Sequence, residues 1–431
     1  MTTAQFRIPL LLIISLFFLW AFGVNLNDIL IPHLKKAFSL TDFQSSFIQV
    51  AFFGGYFLAA FPAGRLMERI GYKRGILAGL GLCTSGALLF VPASSIGVYG
   101  LFLGALFVMA CGQSFLEVAA NPYVTILGPA QSAERRLNFA QSFNSVGAVL
   151  SPLLGRALIL TGTNYSAAQL AAMSASESAA YRAAEASTVK VPYLIMAAIF
   201  LVVAALISVA HLPVAVEQDG IGSMATLAPM TKQSIFAHRH LVKGVIAQFF
   251  YVGAQVCVAS FVIRFAQHAV PGTPDKVAAL YLLGHQIGFM VGRFAGSAMM
   301  KGIAAPRLLS WFAAGSLLCV SVVLLANGIV SVAAVVLIGF FHSIMFPTIF
   351  ALSIKHLGTH TKRGSSLLVM AIIGGAIFPA IMGRISDASN IQRAFVVPLV
   401  CYAYILYFAL AGYKPQPELG LAGAEIETHT T

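Results

Sequence analysis

The chain has 431 residues, of which 59% are apolar and 9% charged, and a formal net charge of +12. Soluble domains carry about 45–50% apolar and about 25% charged residues, so no water-facing fold could hide this much apolar surface in one core. Composition therefore argues against an ordinary soluble enzyme, a nucleic-acid-binding protein or a disulfide scaffold. The five cysteines (Cys83, Cys111, Cys257, Cys319, Cys401) lie in apolar stretches as small hydrophobes, with no metal-ligand spacing. Neither a metal nor a cofactor is expected. The surplus of Lys and Arg fits the cytoplasmic loops of a polytopic membrane protein.

A helix crossing the hydrocarbon core needs about 20 mostly apolar residues. Such runs occupy 8–34, 43–67, 75–94, 98–127, 136–162 and 191–212, then 241–267, 274–300, 306–327, 329–357, 363–386 and 393–412. The first run follows Arg7 but is too long for a signal peptide, and eleven more follow it, so it reads as a retained span. The segment 163–190, rich in Ala and Ser, falls outside the membrane. The segment 213–240 carries Glu217, Asp219, Lys232 and Arg239 and divides the chain six spans from six. Most Lys and Arg, including Arg65, Arg69, Lys73, Arg74, Arg135, Arg136, Arg293, Lys355, Lys362 and Arg363, fall on one side, which places both termini in the cytoplasm. The expected organisation is an all-α polytopic protein: an N-terminal six-helix bundle (1–212), a cytoplasmic linker (213–240) and a C-terminal six-helix bundle with a short tail (241–431).

The halves echo each other. Arg136 precedes Pro152 by 16 residues as Arg363 precedes Pro379, and Gly155-Arg156 and Gly383-Arg384 follow. Asn121-Pro122 answers Phe346-Pro347, and Gly64-Arg65 answers Gly292-Arg293. Shared positions in both halves favour a duplicated six-helix unit with a substrate site near mid-membrane.

Between spans two and three, Gly64-Arg65-Leu66-Met67-Glu68-Arg69-Ile70-Gly71-Tyr72-Lys73-Arg74 has the spacing of the loop signature of the major facilitator superfamily. Gly64 lets helices approach. Glu68 is available to pair with the basic cluster Arg69, Lys73 and Arg74 or with a neighbouring helix end. A charge pair there can latch the cytoplasmic side and break when it opens.

Nearly all 14 acidic residues fall in loops, at span ends or in tails, but Asp28 lies within span one and Glu117 within span four. A charge at mid-bilayer costs at least about 2.5–3.5 kcal/mol, so each marks a functional hypothesis. Both are candidates for carrying a coupled proton. Gln113, Glu117 and Asn121 share one face of span four at i, i+4, i+8; Asn25 and Asp28 share a face of span one. Asn138, Gln141 and Ser145 form a similar stripe on span five, with Asn144 beside it. Gln248, Tyr251 and Gln255 lie on a face of span seven, His285 in span eight and His342 in span ten. Amides and carboxyls facing a cavity hydrogen-bond sugar hydroxyls in both directions. No nucleophile–base pair or His-Glu-x-x-His spacing suggests an enzyme.

Longer stretches are more specific. Asn25-Leu26-Asn27-Asp28-Ile29-Leu30-Ile31-Pro32, Phe115 to Thr125 with Leu127-Gly128-Pro129, and Ala140-Gln141-Ser142-Phe143-Asn144-Ser145 resemble the fucose–galactose–glucose:proton symporter family. So do Tyr251-Val252-Gly253-Ala254-Gln255, Pro347-Thr348-Ile349-Phe350 and Gly364-Ser365-Ser366 with Ile372-Ile373-Gly374-Gly375. The resemblance implies the major facilitator fold and proton-coupled sugar import across the inner membrane by a protein working as a monomer. It implies that Asp28 and Glu117 are the essential cavity acids and that Asn25, Gln141 and Asn144 are cavity amides. An acid at Glu117 resembles the fucose branch, since the glucose/galactose branch tends to carry a neutral amide there. The stretches Leu283 to Gly288 and Val256 to Ala259 depart from the fucose branch and bear on which hexose fits. A glucose/galactose or N-acetylhexosamine carrier, sodium-coupled or passive transport, and a non-transporting sugar sensor remain open alternatives.

Overall fold

The computed structural model describes residues 7–38, 40, 42–158, 173–174, 176–177, 180–181, 184, 187–210 and 234–415. Most of 163–190, and 213–233 of the linker, lie outside the described residues. The fold is all-helical. In chain order the helices are α1 (Arg7–Phe38), α2 (Asp42–Ile96), α3 (Tyr99–Ile126), α4 (Ala133–Leu158), α5 (Lys190–Val209), α6 (Arg239–Ala269) and α7 (Asp275–Met299). They continue with α8 (Ala305–Leu325), α9 (Ile329–His342), α10 (Met345–Ile354), α11 (Thr361–Met370), α12 (Gly374–Ala388) and α13 (Val396–Tyr407).

The helices depart from the expected spans at identifiable residues. Runs 43–67 and 75–94 join in the 55-residue α2, which breaks at Gly71 with φ 78°, a left-handed conformation that only glycine adopts without strain. Run 329–357 divides into α9 and α10 at Ser343–Ile344, and run 363–386 divides into α11 and α12 at the 3-10 turn Ala371–Ile373, just before Gly374-Gly375. Nine helical stretches among the described residues are long and apolar enough to cross a membrane. The two runs of α2 count once in this tally, α4 is too polar to qualify, and of α1 it takes in the apolar stretch Leu10–Asn25 among the described residues. Polarity does not keep α4 on the surface. It packs along α1 and α7, and its Asn138, Gln141, Ser142 and Ser145 are buried.

Packing runs mainly among α1–α5 and among α6–α13. The two groups meet where α4 packs against α7 and α10, and where α11 packs against α2 and α3. Close helix approach within the first group depends on glycine. A β-carbon on Gly112 of α3 would lie 2.5 Å from the Cys83 backbone nitrogen and 2.7 Å from the Gly79 carbonyl of α2. Lipid tails give helices no hydrophobic drive to associate, so such small-residue contacts and buried hydrogen bonds hold the bundle together. Gly112→Val is expected to cost about 1–3 kcal/mol through overpacking, read as a lower melting temperature in detergent. Gly81→Ala, where a β-carbon meets nothing within 4 Å, should not lower it.

Candidate functional site

Helix α3 is buried without interruption from Gly112 to Val124, which makes it a central helix. Glu117 sits in the middle of that stretch and is 2% exposed. Asn121, one turn along, and the guanidinium of Arg293 on α7 are its electrostatic neighbours, and the Tyr56 hydroxyl of α2 lies within reach of its charge. Asn121 Oδ1 accepts a hydrogen bond from Gln141 Nε2 of α4 at 2.9 Å. The α3 and α4 stripes therefore face each other.

Arg293 ties this cluster to the second half. It is 3% exposed, and its Nη1 donates to the Gln141 carbonyl (2.6 Å), Gln141 Oε1 (3.2 Å) and Asn144 Oδ1 (3.3 Å). Its Nε donates to the Ser343 carbonyl at the α9–α10 break (3.0 Å), and its guanidinium lies 4.4 Å from the Phe289 ring centre. The sequence had placed Arg293 among cytoplasmic anchors; the structure corrects this and buries it at the seam. A charge so placed is stabilised by converging carbonyl and amide oxygens and by the acid nearby. The signal was present in the sequence, since Arg293 is the one charged residue between Lys276 and Lys301. An intramembrane positive charge is as informative as a buried acid.

The second-half wall is polar but under-satisfied. Gln248 is fully buried, and neither of its amide atoms has a partner among the described residues. The Tyr251 hydroxyl, one turn along α6, lies in the field of Arg293 without a well-formed hydrogen bond. Asn121 Nδ2 and Ser145 Oγ are likewise buried and unpaired among the described residues. An unmet buried group costs about 1–3 kcal/mol, so each of these atoms gains from a polar partner.

Other expected site residues are placed differently. Asn25 is half-buried and donates to the Ala21 carbonyl of its own helix at 2.7 Å. Asp28 lies on the α1 backbone, and its side chain is outside the described residues. Gln255 is half-buried, two turns beyond Gln248 on α6, or about 10 Å along the axis. His285 is not among the groups gathered around Glu117. Its Nδ1 pairs with the Val335 carbonyl (3.1 Å) and its ring packs edge-on against His342, 5.0 Å between centres. His342 Nδ1 meets the Tyr402 hydroxyl at 3.1 Å and its ring also packs on Phe289, so the histidines stand one layer behind Arg293.

From this cluster a ladder of contacts between the halves runs to the loop end of the bundle along one face of α4. Asn138 Nδ2 donates to Thr348 Oγ1 of α10 (3.1 Å), and one turn further out Lys355 Nζ pairs with Glu134 Oε1 (3.0 Å). Beside it Arg363 of α11 grips Glu68 through Nε (2.7 Å) and Nη2 (3.1 Å), while Gly64 packs against Ser366 and the Lys362 carbonyl. Glu68 thus pairs across the halves rather than with its own basic cluster. In that cluster Lys73 caps the end of α5 through the Ser208 and Ala210 carbonyls (2.8 and 2.9 Å), and Arg69 and Arg74 are exposed. Arg136 and Arg363, matched in the repeat, do different work. Arg136 caps the end of α3 through the Val124, Thr125 and Pro129 carbonyls, whereas Arg363 latches.

Buried acid, amides and guanidinium thus meet at the seam of a membrane-type helical bundle, with ion pairs joining the two groups of helices at one end. The Major Facilitator Superfamily model matches residues 12–379, and the chain belongs to that superfamily. It is 44% identical over 400 residues to a glucose/galactose transporter of Brucella abortus, covering 93% of this chain and 92% of that protein. It is also 44% identical over 408 residues to the L-fucose-proton symporter of Escherichia coli, covering 94% and 93%. The crystal structure of the transporter FucP in the outward conformation matches with a TM-score of 0.86 and 43% identity, over 94% of this chain and 98% of that one.

Two outcomes test this geometry. Arg293→Lys keeps the charge but loses the fork that reaches Gln141, Asn144 and Ser343 together, and should lower stability by about 1–3 kcal/mol in detergent melting. Glu68→Arg should impair the function of the protein in vesicles, and the swap Glu68→Arg with Arg363→Glu should restore most of it.

Proposed function

We propose that the chain is a proton-coupled monosaccharide symporter that imports sugar across the inner membrane by alternating access. The observation that carries this reading is Glu117, buried at the seam among Asn121, Gln141, Asn144 and Arg293. A carboxyl there accepts a proton or a sugar hydroxyl, and the amides offer donors and acceptors to the remaining hydroxyls. The similarity to an L-fucose-proton symporter supports proton coupling and L-fucose as the substrate. The equal identity to a glucose/galactose transporter favours, as a second reading, glucose or galactose.

The organisation we propose is twelve spanning helices in two six-helix bundles, 1–212 and 241–431, joined by a cytoplasmic linker at 213–240. Both termini are in the cytoplasm, and the monomer is the working unit. On this reading the ladder from Asn138–Thr348 to Glu68–Arg363 closes the cytoplasmic end, an outward-facing arrangement. Asp28 and Glu117 take up a proton from outside, and sugar binds across the seam. Neutralising Glu117 weakens its hold on Arg293. The halves then rock, the ladder breaks, and sugar and proton leave inward. Asp28 is the main proton carrier in this scheme and Glu117 the sugar-contacting acid.

Uptake of radiolabelled L-fucose into proteoliposomes with an imposed inward proton gradient, in sodium-free medium, tests the proposal. D-glucose, D-galactose and N-acetylglucosamine serve as competitors. Accumulation above equilibrium is expected, with loss of accumulation in Asp28→Asn and in Glu117→Gln. Accumulation of a different hexose changes the substrate only. Downhill equilibration that ignores the proton gradient would refute coupling, and sugar binding without counterflow would favour a sensor.

A further inference from the structure

The loop between α10 and α11 carries Lys355, and this residue makes two contacts of different kinds. Its ammonium reaches across the halves to Glu134 at 3.0 Å, and its backbone carbonyl meets His240 Nε2 of α6 at 2.9 Å. The arm of the latch is thus fastened to the first turn of the helix that follows the linker. His240 does not stand alone. The His238 ring lies 6.0 Å from it and 5.6 Å from His360, and His356 is within electrostatic reach of His240. Four imidazoles, two from the start of α6 and two from the six-residue loop itself, gather here.

His356, directly after Lys355, has φ 61°, the single non-glycine residue with positive φ among the described residues. A side chain at this position opposes the left-handed backbone, so surrounding contacts rather than local preference hold the turn. The formal charges at this end of the packed elements include Lys355, Lys362, Arg363, Arg239 and Lys243, with Glu134, Arg135 and Arg136 on α4 and Glu68, Arg65, Arg69, Lys73 and Arg74 on α2. Both of these acids are engaged in bridges between the halves. Added protons on the imidazoles therefore meet mainly like charge.

We propose that His238, His240, His356 and His360 form a proton-sensitive clasp on the Lys355 loop, whose protonation loosens the Lys355–Glu134 bridge and opens this end of the bundle. The Nε2–H of His240 donates to the Lys355 carbonyl in either charge state, and with the other imidazoles neutral the arm is presented to Glu134. On acidification, positive charge gathered on the imidazoles adds its mutual repulsion to that of Lys355 and pushes the turn away, so the arm is latched at neutral pH and released in acid. For a protein importing protons on this side, acidification would then slow its return to the outward-facing state.

The test needs no sugar, so its outcome is independent of the substrate reading. Spin labels are placed at Gln131→Cys and Phe236→Cys, both exposed at the loop end, with the five native cysteines replaced. Electron–electron distance distributions are recorded in proteoliposomes at about pH 7.5 and about pH 5.5, either side of the imidazole range. The expected result is a shift to longer distances at low pH that disappears in His238→Gln/His356→Gln/His360→Gln, which keeps the His240 contact. Lys355→Gln should show the long distance at both pH values. If the triple variant folds poorly, His356→Gly, which relieves the left-handed strain and removes one imidazole, should move the midpoint to lower pH. A pH-independent distribution in the otherwise wild-type chain overturns the proposal. So does an unchanged shift in the triple variant, which would assign the response to the acids at the seam.

Discussion

A guanidinium enclosed at the junction of two helical groups sets the terms for everything around it. Removing a charge from water is expensive, and attraction repays that cost only with good geometry and satisfied donors. Arg293 meets both conditions through oxygens from α4 and from the α9–α10 break, and through the ring of Phe289. Its oxygens come from both sides of the seam, so any motion that separates α4 from α7 strips it of partners. Glu117 is the acid that shares this environment, so its charge and that of Arg293 act on each other.

The same duplicated local pattern serves two purposes. Phe61-x-x-Gly64-Arg65 and Phe289-x-x-Gly292-Arg293 both place an arginine 4.4 Å from the ring four residues earlier. In the first copy Gly64 opens space for Ser366 and Lys362 across the seam, and Arg65 is exposed. In the second copy Gly292 packs against the Phe340 carbonyl and Ser343 within its own half, and that packing brings Arg293 to Gln141. One repeat unit therefore supplies a hinge contact in one half and an interior charge in the other.

A graded set of contacts separates the cluster from the loop end. Amide-to-carbonyl bonds lie deepest, then the Asn138–Thr348 pair, then the ion pairs Glu134–Lys355 and Glu68–Arg363 at the rim. Exposed ion pairs contribute little each, about 0–1 kcal/mol. The rim therefore opens readily once the interior contacts are weakened. On the proposed cycle, the buried contacts set the resistance to opening and the rim pairs are the part that local charge changes can switch.

Membrane character, the polar stripes on α3 and α4, and the buried acid at Glu117 were legible in the sequence, because apolar run length and helical periodicity are local properties that survive without a partner. The superfamily loop signature was legible for the same reason: its glycines and charges sit at fixed spacing. The role of Arg293 was not, since a lone arginine near a span end looks like an anchor until the opposing oxygens of Gln141, Asn144 and Ser343 are in place. Nor could spacing show that Glu68 reaches Arg363, that Arg136 and Arg363 diverge in role, or that His285 stands behind the cluster. Composition and periodicity determined what this chain is made to live in and which helix faces are polar. Which polar groups meet was decided by the tertiary structure alone, because hydrogen bonds and ion pairs depend on ångström distances between residues far apart in the chain.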